Sequence, residues 1–235
     1  MNPEKSFDLE IGSSAVSERS FMSQVYLWMA MALALTGIVA WGVAQTPSLV
    51  TALMQNFFLF IMIMLAQLGL VFWLSSSIFR IGVTTATIGF SIYATLNGII
   101  FSTIFLAYTA ASIASTFFVT AGTFAIVSVY GFATKQDLTS VGSFSLMALI
   151  GLILASFINM FFKNPVFDYI LSYIGVAIFI GLTAYDTQQL KKIHEQGAGS
   201  GEMLQKVSLM GALRLYLDFI NLFLLLLRIM GRRRD

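Results

Sequence analysis

The sequence has few charged residues and no cysteine. Of its 235 residues, 10% are charged and 58% are hydrophobic. A soluble domain carries about a quarter charged residues, so this chain has too few polar side chains to cover a water-facing surface. The absence of cysteine excludes disulfides, thiolate metal sites and thiol catalysis. We therefore predict an integral membrane protein that resides in the lipid bilayer.

The sequence also lacks the patterns of several common functions. The net charge is only +2, and the basic residues are spread over loops and tails, so we expect no nucleic-acid partner. There is no Gly-x-Ser-x-Gly, no Walker-type loop and no dinucleotide fingerprint, so we expect neither a cofactor nor an enzyme of those classes. The segment before the first hydrophobic run is rich in acidic residues, which predicts a retained helix rather than a cleaved signal.

Hydrophobic runs long enough to cross a bilayer, about 20 residues each, recur seven times. They cover about 25–44, 53–74, 84–107, 113–133, 144–162, 169–190 and 207–230. Their continuity favours helices over the short alternating strands of a barrel. We predict an all-α integral membrane protein, a seven-transmembrane-helix bundle with one long loop at 191–206. Its parts are a polar N-terminal tail (1–22), the membrane domain (23–231) and a basic C-terminal tail (232–235).

The positions of Lys and Arg predict the orientation of the bundle. Seven basic residues fall on the side of the N-terminus, at positions 5, 19, 80, 135, 191, 192 and 206, whereas the opposite loops contain only Lys163. By the positive-inside rule the N-terminus is cytoplasmic. Seven crossings then leave the tail Arg232–Arg234 outside, against the rule. A re-entrant last segment would remove this conflict, but we favour seven crossings.

Two acidic residues, Asp186 and Asp218, fall within the sixth and seventh predicted spans. An acid in the middle of a bilayer costs about 2.5–3.5 kcal/mol on insertion scales, so each needs a partner or a function. The two spans are consecutive and both acids lie in the same half of the membrane, so their carboxyl groups could meet. Two carboxylates in contact in a poorly hydrated place cannot both ionise, and the pair shares a proton. Such a pair is a proton-sensitive latch that, when fully ionised, separates and attracts a cation.

The polar residues of the last span follow a helical spacing of three and four. Together with Gly211 and Leu225, which share the spacing, they form a stripe of Gly211, Arg214, Asp218, Asn221, Leu225 and Arg228. The stripe must face protein or water rather than lipid, so we predict that this helix is central. Two simpler interpretations of the acids stay open. Arg214 could pair with Asp218 and only stabilise the helix, and Asp186 could bridge to Lys191 or Lys192 at the interface.

Two motifs in these spans resemble one known family. They are Tyr185-Asp186-x-Gln188 and Leu215-Tyr216-Leu217-Asp218-Phe219-Ile220-Asn221-Leu222-Phe223, the second followed by Leu227-Arg228. The combination resembles the Bax inhibitor-1 family, and most closely its proteobacterial inner-membrane branch, from about Gln24 to Gly231. The resemblance implies a last helix wrapped by the other six and a pH-sensitive calcium leak. In that family the leak is gated by two aspartates, whose positions match Asp186 and Asp218. A weak, transient calcium site at these two acids is then expected.

The sequence departs from this family at two positions. Bacterial relatives can carry an arginine directly after the Phe-Trp-like end of span two, where it latches onto the span-six aspartate. Here Phe72-Trp73-Leu74 is followed by three serines, and the nearest arginine is Arg80. In addition, Arg214 lies one turn before Asp218, where it could hold that acid ionised. Tyr185, Arg214, Asn221, Arg228 and Arg80 are therefore taken as supporting residues of the site.

Three functions from different classes are compatible with acids in adjacent spans. The leading hypothesis is the pH-sensitive calcium leak. The alternative, also implied by the resemblance, is a regulator that binds and restrains a membrane-bound AAA protease without transport. An intramembrane aspartyl protease also has Tyr-Asp on one helix and Asp on the next. It is disfavoured because Leu215-Tyr216-Leu217 stands where those enzymes have Gly-x-Gly, and no Pro-Ala-Leu motif follows.

Overall fold

A computed structural model describes residues 3–196 and 201–234, with side chains from residue 18 onward. This part of the chain is helical. The helices are α1 (Pro3–Ala44), α2 (Pro47–Gln55), α3 (Phe57–Ser77), α4 (Val83–Phe101), α5 (Ile104–Ala107), α6 (Ala110–Ala133), α7 (Thr139–Phe162), α8 (Pro165–Glu195) and α9 (Glu202–Met230). Seven segments among the described residues are long and apolar enough to cross a membrane, which confirms the seven predicted spans.

Proline and asparagine set the boundary between the fifth and sixth spans. Lys163 ends α7 in the left-handed conformation, with φ of 49°. Pro165 then occupies the first turn of α8, where its missing N–H costs no hydrogen bond. The side chain of Asn164 accepts hydrogen bonds from the next two free N–H groups, of Val166 and Phe167. The boundary between α7 and α8 is therefore a helix stop followed directly by a capped helix start.

Helix α9 lies at the centre of the bundle. Of its most hydrophobic stretch 61% is buried, compared with 39% for α8, the next most buried span. It packs against α1, α4, α6 and α8. Its apolar side, which includes Leu215, Phe219 and Leu222, is buried almost completely. The prediction of a central last helix is confirmed, because the apolar face packs on the surrounding helices while the polar stripe lies along a cavity.

Two helices extend beyond the predicted boundaries. Helix α1 begins at Pro3, within the segment predicted as a polar tail. Helix α8 continues to Glu195, so the prediction of a loop beginning at residue 191 is wrong. His194 accordingly lies on this helix, where its ring stacks on that of Phe21 with 4.8 Å between the centroids. Residues 197–200 of the predicted loop lie outside the described residues.

The link between α6 and α7 is fixed to the end of α8. The Gln188 side chain accepts a hydrogen bond from Leu138 N–H (2.9 Å) and donates one to the Gln136 carbonyl (2.7 Å). Lys192 donates a hydrogen bond to Asp137 at 2.8 Å. This bond, together with those from Thr139, lowers the pKa of the Asp137 carboxyl to about 2. Asp137 therefore stays ionised at neutral pH and does not act as a pH sensor there.

The basic C-terminal tail is held at the opposite end of the bundle, against the link between α5 and α6. The N–H of Thr109 donates to the Arg232 carbonyl (3.2 Å), and the N–H of Arg234 donates to the Ala107 carbonyl (3.0 Å). The N–H of Arg232 donates to the Ser112 hydroxyl at 2.8 Å. Helix α9 is one uninterrupted helix of 29 residues. The tail that follows it therefore lies at the end of the bundle opposite the link formed by residues 134–138.

Candidate functional site

A cavity of about 570 Å³ runs along one side of α9, between that helix, α7 and α8. Its wall is largely leucine, with one group of polar side chains. These are Ser156, Tyr185, Asp186, Arg214, Asp218, Asn221 and Arg228. From Arg214 to Arg228 the cavity follows four turns of α9, about 21 Å at 1.5 Å per residue. The polar stripe of the last helix therefore lines a recess between helices.

The carboxyl groups of Asp186 and Asp218 meet within this cavity. Their side chains are in hydrogen-bond contact. Asp218 is only 5% exposed, whereas Asp186 is half-buried. The Asp218 Oδ2 atom is buried and accepts no hydrogen bond from the described part of the chain. Two carboxyl groups at this separation form a hydrogen bond only when one of them carries a proton.

Arg214 stands near the two acids without forming an ion pair with either. Its charge acts on both Asp186 and Asp218, but within residues 18–196 and 201–234 no Arg214 nitrogen lies within 4.0 Å of a carboxylate oxygen. Arg214 is exposed to the cavity mouth. The structure thus places the two carboxyl groups together and leaves the arginine beside them.

The two lysines at the end of α8 are occupied elsewhere. Lys191 is paired with Glu18 at 3.4 Å and with Glu195 at 3.9 Å. Lys192 is paired with Asp137 at 2.8 Å. The interpretation that Asp186 forms an interfacial bridge to one of these lysines is therefore wrong. The reason is that Glu18 of α1, the Phe132 carbonyl of α6, Asp137 of the link between α6 and α7, and Glu195 of α8 itself lie within reach of these lysines, whereas Asp186 faces the cavity.

At the far end of the cavity, Arg228 joins a polar cluster with an unpredicted acid, Asp168, which does not itself line the cavity. Arg228 lies 3.8 Å from the Asp168 carboxylate, which also accepts a hydrogen bond from Asn159 at 2.9 Å. Asp168 carries no special signal in the sequence, because an acid in the first turn of a helix is common. Asn221, nearer the middle of the cavity, donates to the Leu217 carbonyl of its own helix.

The remaining two supporting residues lie in different places. Tyr185 lines the cavity, and its ring covers Gly142 of α7 so closely that any β-carbon there would overlap the ring. Arg80 lies in the exposed turn after α3. It neither lines the cavity nor pairs with a carboxylate of the described residues. Arg80 is therefore not brought to Asp186 in this structure.

A second polar contact of α9, unpredicted from the sequence, lies away from the cavity. The Tyr216 hydroxyl is 2.7 Å from the Thr36 hydroxyl, which is itself 2.9 Å from the carbonyl oxygens of Ala32 and Ala94. Thr36 has one hydroxyl proton and uses it for a carbonyl, so Tyr216 is the donor in the Tyr–Thr bond. This buried contact connects α1, α4 and α9. The sequence contains no pattern that would pair residues 180 positions apart.

The described residues offer two carboxylates at the cavity but no larger ligand set. No group of three or more His, Cys, Asp or Glu side chains in that part of the chain is placed to hold a metal ion. Calcium takes six to eight oxygen ligands, so Asp186 and Asp218 would need carbonyls and water to complete a site. The geometry therefore fits brief contact with a passing cation better than storage of one.

Sequence comparisons place the chain among bacterial membrane proteins. Residues 18–235 match the profile of the family described as inhibitor of apoptosis-promoting Bax1. The chain is 48% identical over 217 residues to "Inner membrane protein YbhL" of Escherichia coli (strain K12), covering 92% of this chain and 93% of that protein. It is 45% identical over 217 residues to "Uncharacterized protein RP147" of Rickettsia prowazekii, covering 92% of this chain and 91% of that protein. An uncharacterized protein of Deinococcus radiodurans is 46% identical over the same length, covering 92% of each chain.

Proposed function

Because the chain belongs to the Bax inhibitor-1 family and is a multi-pass inner-membrane protein, we propose that it is a pH-sensitive calcium leak channel whose gate is the Asp186–Asp218 pair. The observation that carries this proposal is the contact between the two carboxyl groups inside the cavity. An acid pair placed there without a function would be costly, since each acid has been moved out of water. The free-energy cost of burying the two acids is explained if the pair is the element that responds to pH.

The response follows from the charges around the pair. With one shared proton the two acids carry one negative charge, which the neighbouring Arg214 balances. When that proton leaves, the acids repel each other and the site has a net negative charge. Repulsion separates the side chains, and the negative site attracts a cation. The channel is therefore expected to be closed at lower pH and to conduct as pH rises.

The packing beside the pair indicates where opening must occur. Between the acids and the end of the bundle that holds the N-terminus, the Leu190 side chain of α8 packs directly on Gly211 of α9. A β-carbon at Gly211 would overlap this side chain. Leu190 is one turn from Asp186 on α8, and Gly211 is two turns from Asp218 on α9. The acids and the Leu190–Gly211 contact therefore lie on the same faces of α8 and α9, so repulsion between the acids also pulls on this contact. Separation of Leu190 from Gly211 would extend the cavity toward the N-terminal end of the bundle.

Calcium influx into proteoliposomes at several pH values tests this gate. For the parent protein, influx is expected to rise with pH by up to about tenfold per pH unit while loss of one proton controls opening. Asp218→Asn and Asp186→Asn should both stay closed across the range. In each variant the amide still hydrogen-bonds the remaining acid, and the pair can no longer reach two negative charges.

Asp137→Asn is the matched control for these variants. It removes a carboxylate outside the cavity that is ionised throughout the neutral range, so the pH dependence should equal that of the parent. Influx through both cavity variants that matches the parent at every pH would contradict the gate. In that case the second hypothesis, a regulator that acts by binding a partner, would be the better explanation.

A further inference from the structure

A second cavity, also of about 570 Å³, opens toward the membrane between α1 and α6. We name it the α1–α6 groove. Both helices pack on α9 but not extensively on each other, so a trough remains between them. Phe219 of α9 forms part of its floor, and its walls are almost entirely apolar. This groove lies on a different side of α9 from the Asp186–Asp218 pair and plays no part in the proposed gate.

The α1–α6 groove is long enough for an acyl chain of one leaflet. On α6 its lining runs from Phe117 to Phe132, which is about 22 Å at 1.5 Å per residue. The hydrocarbon core of a bilayer is about 30 Å thick, so one leaflet contributes about 15 Å. An acyl chain that enters at the interface therefore has an apolar trough along its full length.

The end of the groove nearest the N-terminal side of the bundle is positively charged. Arg19 lines the groove there and is exposed. It forms no ion pair with a carboxylate among the described side chains, and no acidic residue lines the groove. An arginine at the membrane interface beside an apolar trough is a site for a phosphate group.

We propose that the α1–α6 groove binds an anionic glycerophospholipid. Its phosphate lies against Arg19, and one acyl chain follows the groove over Phe219. The lipid comes from the leaflet on the N-terminal side. This proposal rests on the groove alone and is independent of the conduction of calcium.

Native mass spectrometry of the purified, delipidated protein tests the proposal, with phosphatidylglycerol and phosphatidylcholine added separately. The parent should retain one phosphatidylglycerol in preference to phosphatidylcholine. Arg19→Gln should weaken retention of phosphatidylglycerol roughly fivefold, the usual contribution of one basic residue near an anionic lipid surface, and leave phosphatidylcholine unchanged. Ala125→Phe should abolish retention of both lipids, because the new ring fills the groove.

Two variants control for general effects on charge and size. Arg80→Gln removes an exposed arginine from the same side of the bundle outside the groove, and Ile126→Phe enlarges an exposed side chain next to Ala125 that does not line the groove. Both should retain phosphatidylglycerol like the parent. Equal retention of the two lipids by the parent, or full retention of phosphatidylglycerol by Arg19→Gln, would overturn the proposal. Since Arg19 is exposed, its substitution leaves the fold intact and the result can be interpreted even if Ala125→Phe is unstable.

Discussion

At the scale of single residues, α9 combines two buried polar contacts on different sides. Asp218 meets Asp186 at the cavity, and two residues earlier Tyr216 donates its proton to Thr36 in the core. Tyr216 is completely buried, between the rings of Phe90 and Tyr93. The first contact is the one for which we propose a dependence on protonation, whereas the second is a neutral bond that holds α9 to α1. The central helix thus has a fixed side and, in the proposed function, a side that responds to pH.

Replacing Tyr216 by Phe tests the fixed side. The substitution keeps the ring and removes one buried hydrogen bond, so the free energy of unfolding should fall by about 1 kcal/mol. In the Tyr216→Phe variant, Thr36→Val should lower the free energy of unfolding by less than it does in the parent, because the hydrogen bond between the two residues is already lost. Unfolding in mixed detergent micelles measures these differences. Tyr173→Phe, an exposed tyrosine on α8, is the control and should change nothing; equal losses for Tyr216→Phe and Tyr173→Phe would contradict the assigned bond.

At the scale of helices, α8 is held by close backbone approaches to its neighbours. At Gly131 of α6, a β-carbon would collide with the Ala184 carbonyl of α8. At Gly142 of α7, it would collide with the Tyr185 ring. Without a hydrophobic driving force between helices in lipid, such small-residue contacts are a main source of helix association. They fix α8 on the α6 and α7 side, so any opening at the acids must occur toward α9.

Glycine-to-alanine substitutions on α6 test this close approach. Gly131→Ala should lower the free energy of unfolding by about 1–3 kcal/mol, the usual cost of overpacking against a rigid backbone. Gly122→Ala on the same helix is the matched control, since a β-carbon there meets nothing within 4 Å. It should be neutral or stabilising by up to about 1 kcal/mol, because alanine is the better helix former. A gain in stability for Gly131→Ala would show that α6 and α8 are further apart than described.

At the scale of the whole molecule, the tail and the residue 134–138 link lie at opposite ends of the bundle. The tail Arg232–Arg234 pairs through its backbone with residues 107–112, next to the start of α6. Lys135 lies just beyond the other end of α6. The conflict between seven crossings and the positive-inside rule is therefore resolved in favour of seven crossings. The backbone pairing holds the basic tail in place despite its charge.

Labelling of single cysteines tests the orientation of this arrangement, and the parent chain has no cysteine to interfere. With a membrane-impermeant maleimide on intact spheroplasts, Lys163→Cys and Arg233→Cys should react, because we predict that both face outward. Lys135→Cys should react only after lysis, since the side of the N-terminus is predicted to be cytoplasmic. Protection of Arg233→Cys together with Lys135→Cys would instead indicate a re-entrant last segment.

The sequence by itself determined the membrane class, the seven spans and the central position of the last helix. These follow from local quantities, namely the length of apolar runs and the three-and-four spacing of polar residues along one helix. It also singled out Asp186 and Asp218, because a carboxylate in lipid is costly wherever the chain folds. Only the tertiary structure decided which groups the charged residues meet: Asp186 with Asp218, Lys191 with Glu18, Arg228 with Asp168. Partners of this kind, Thr36 and Tyr216 included, depend on how helices far apart in sequence pack, and no local pattern encodes that packing.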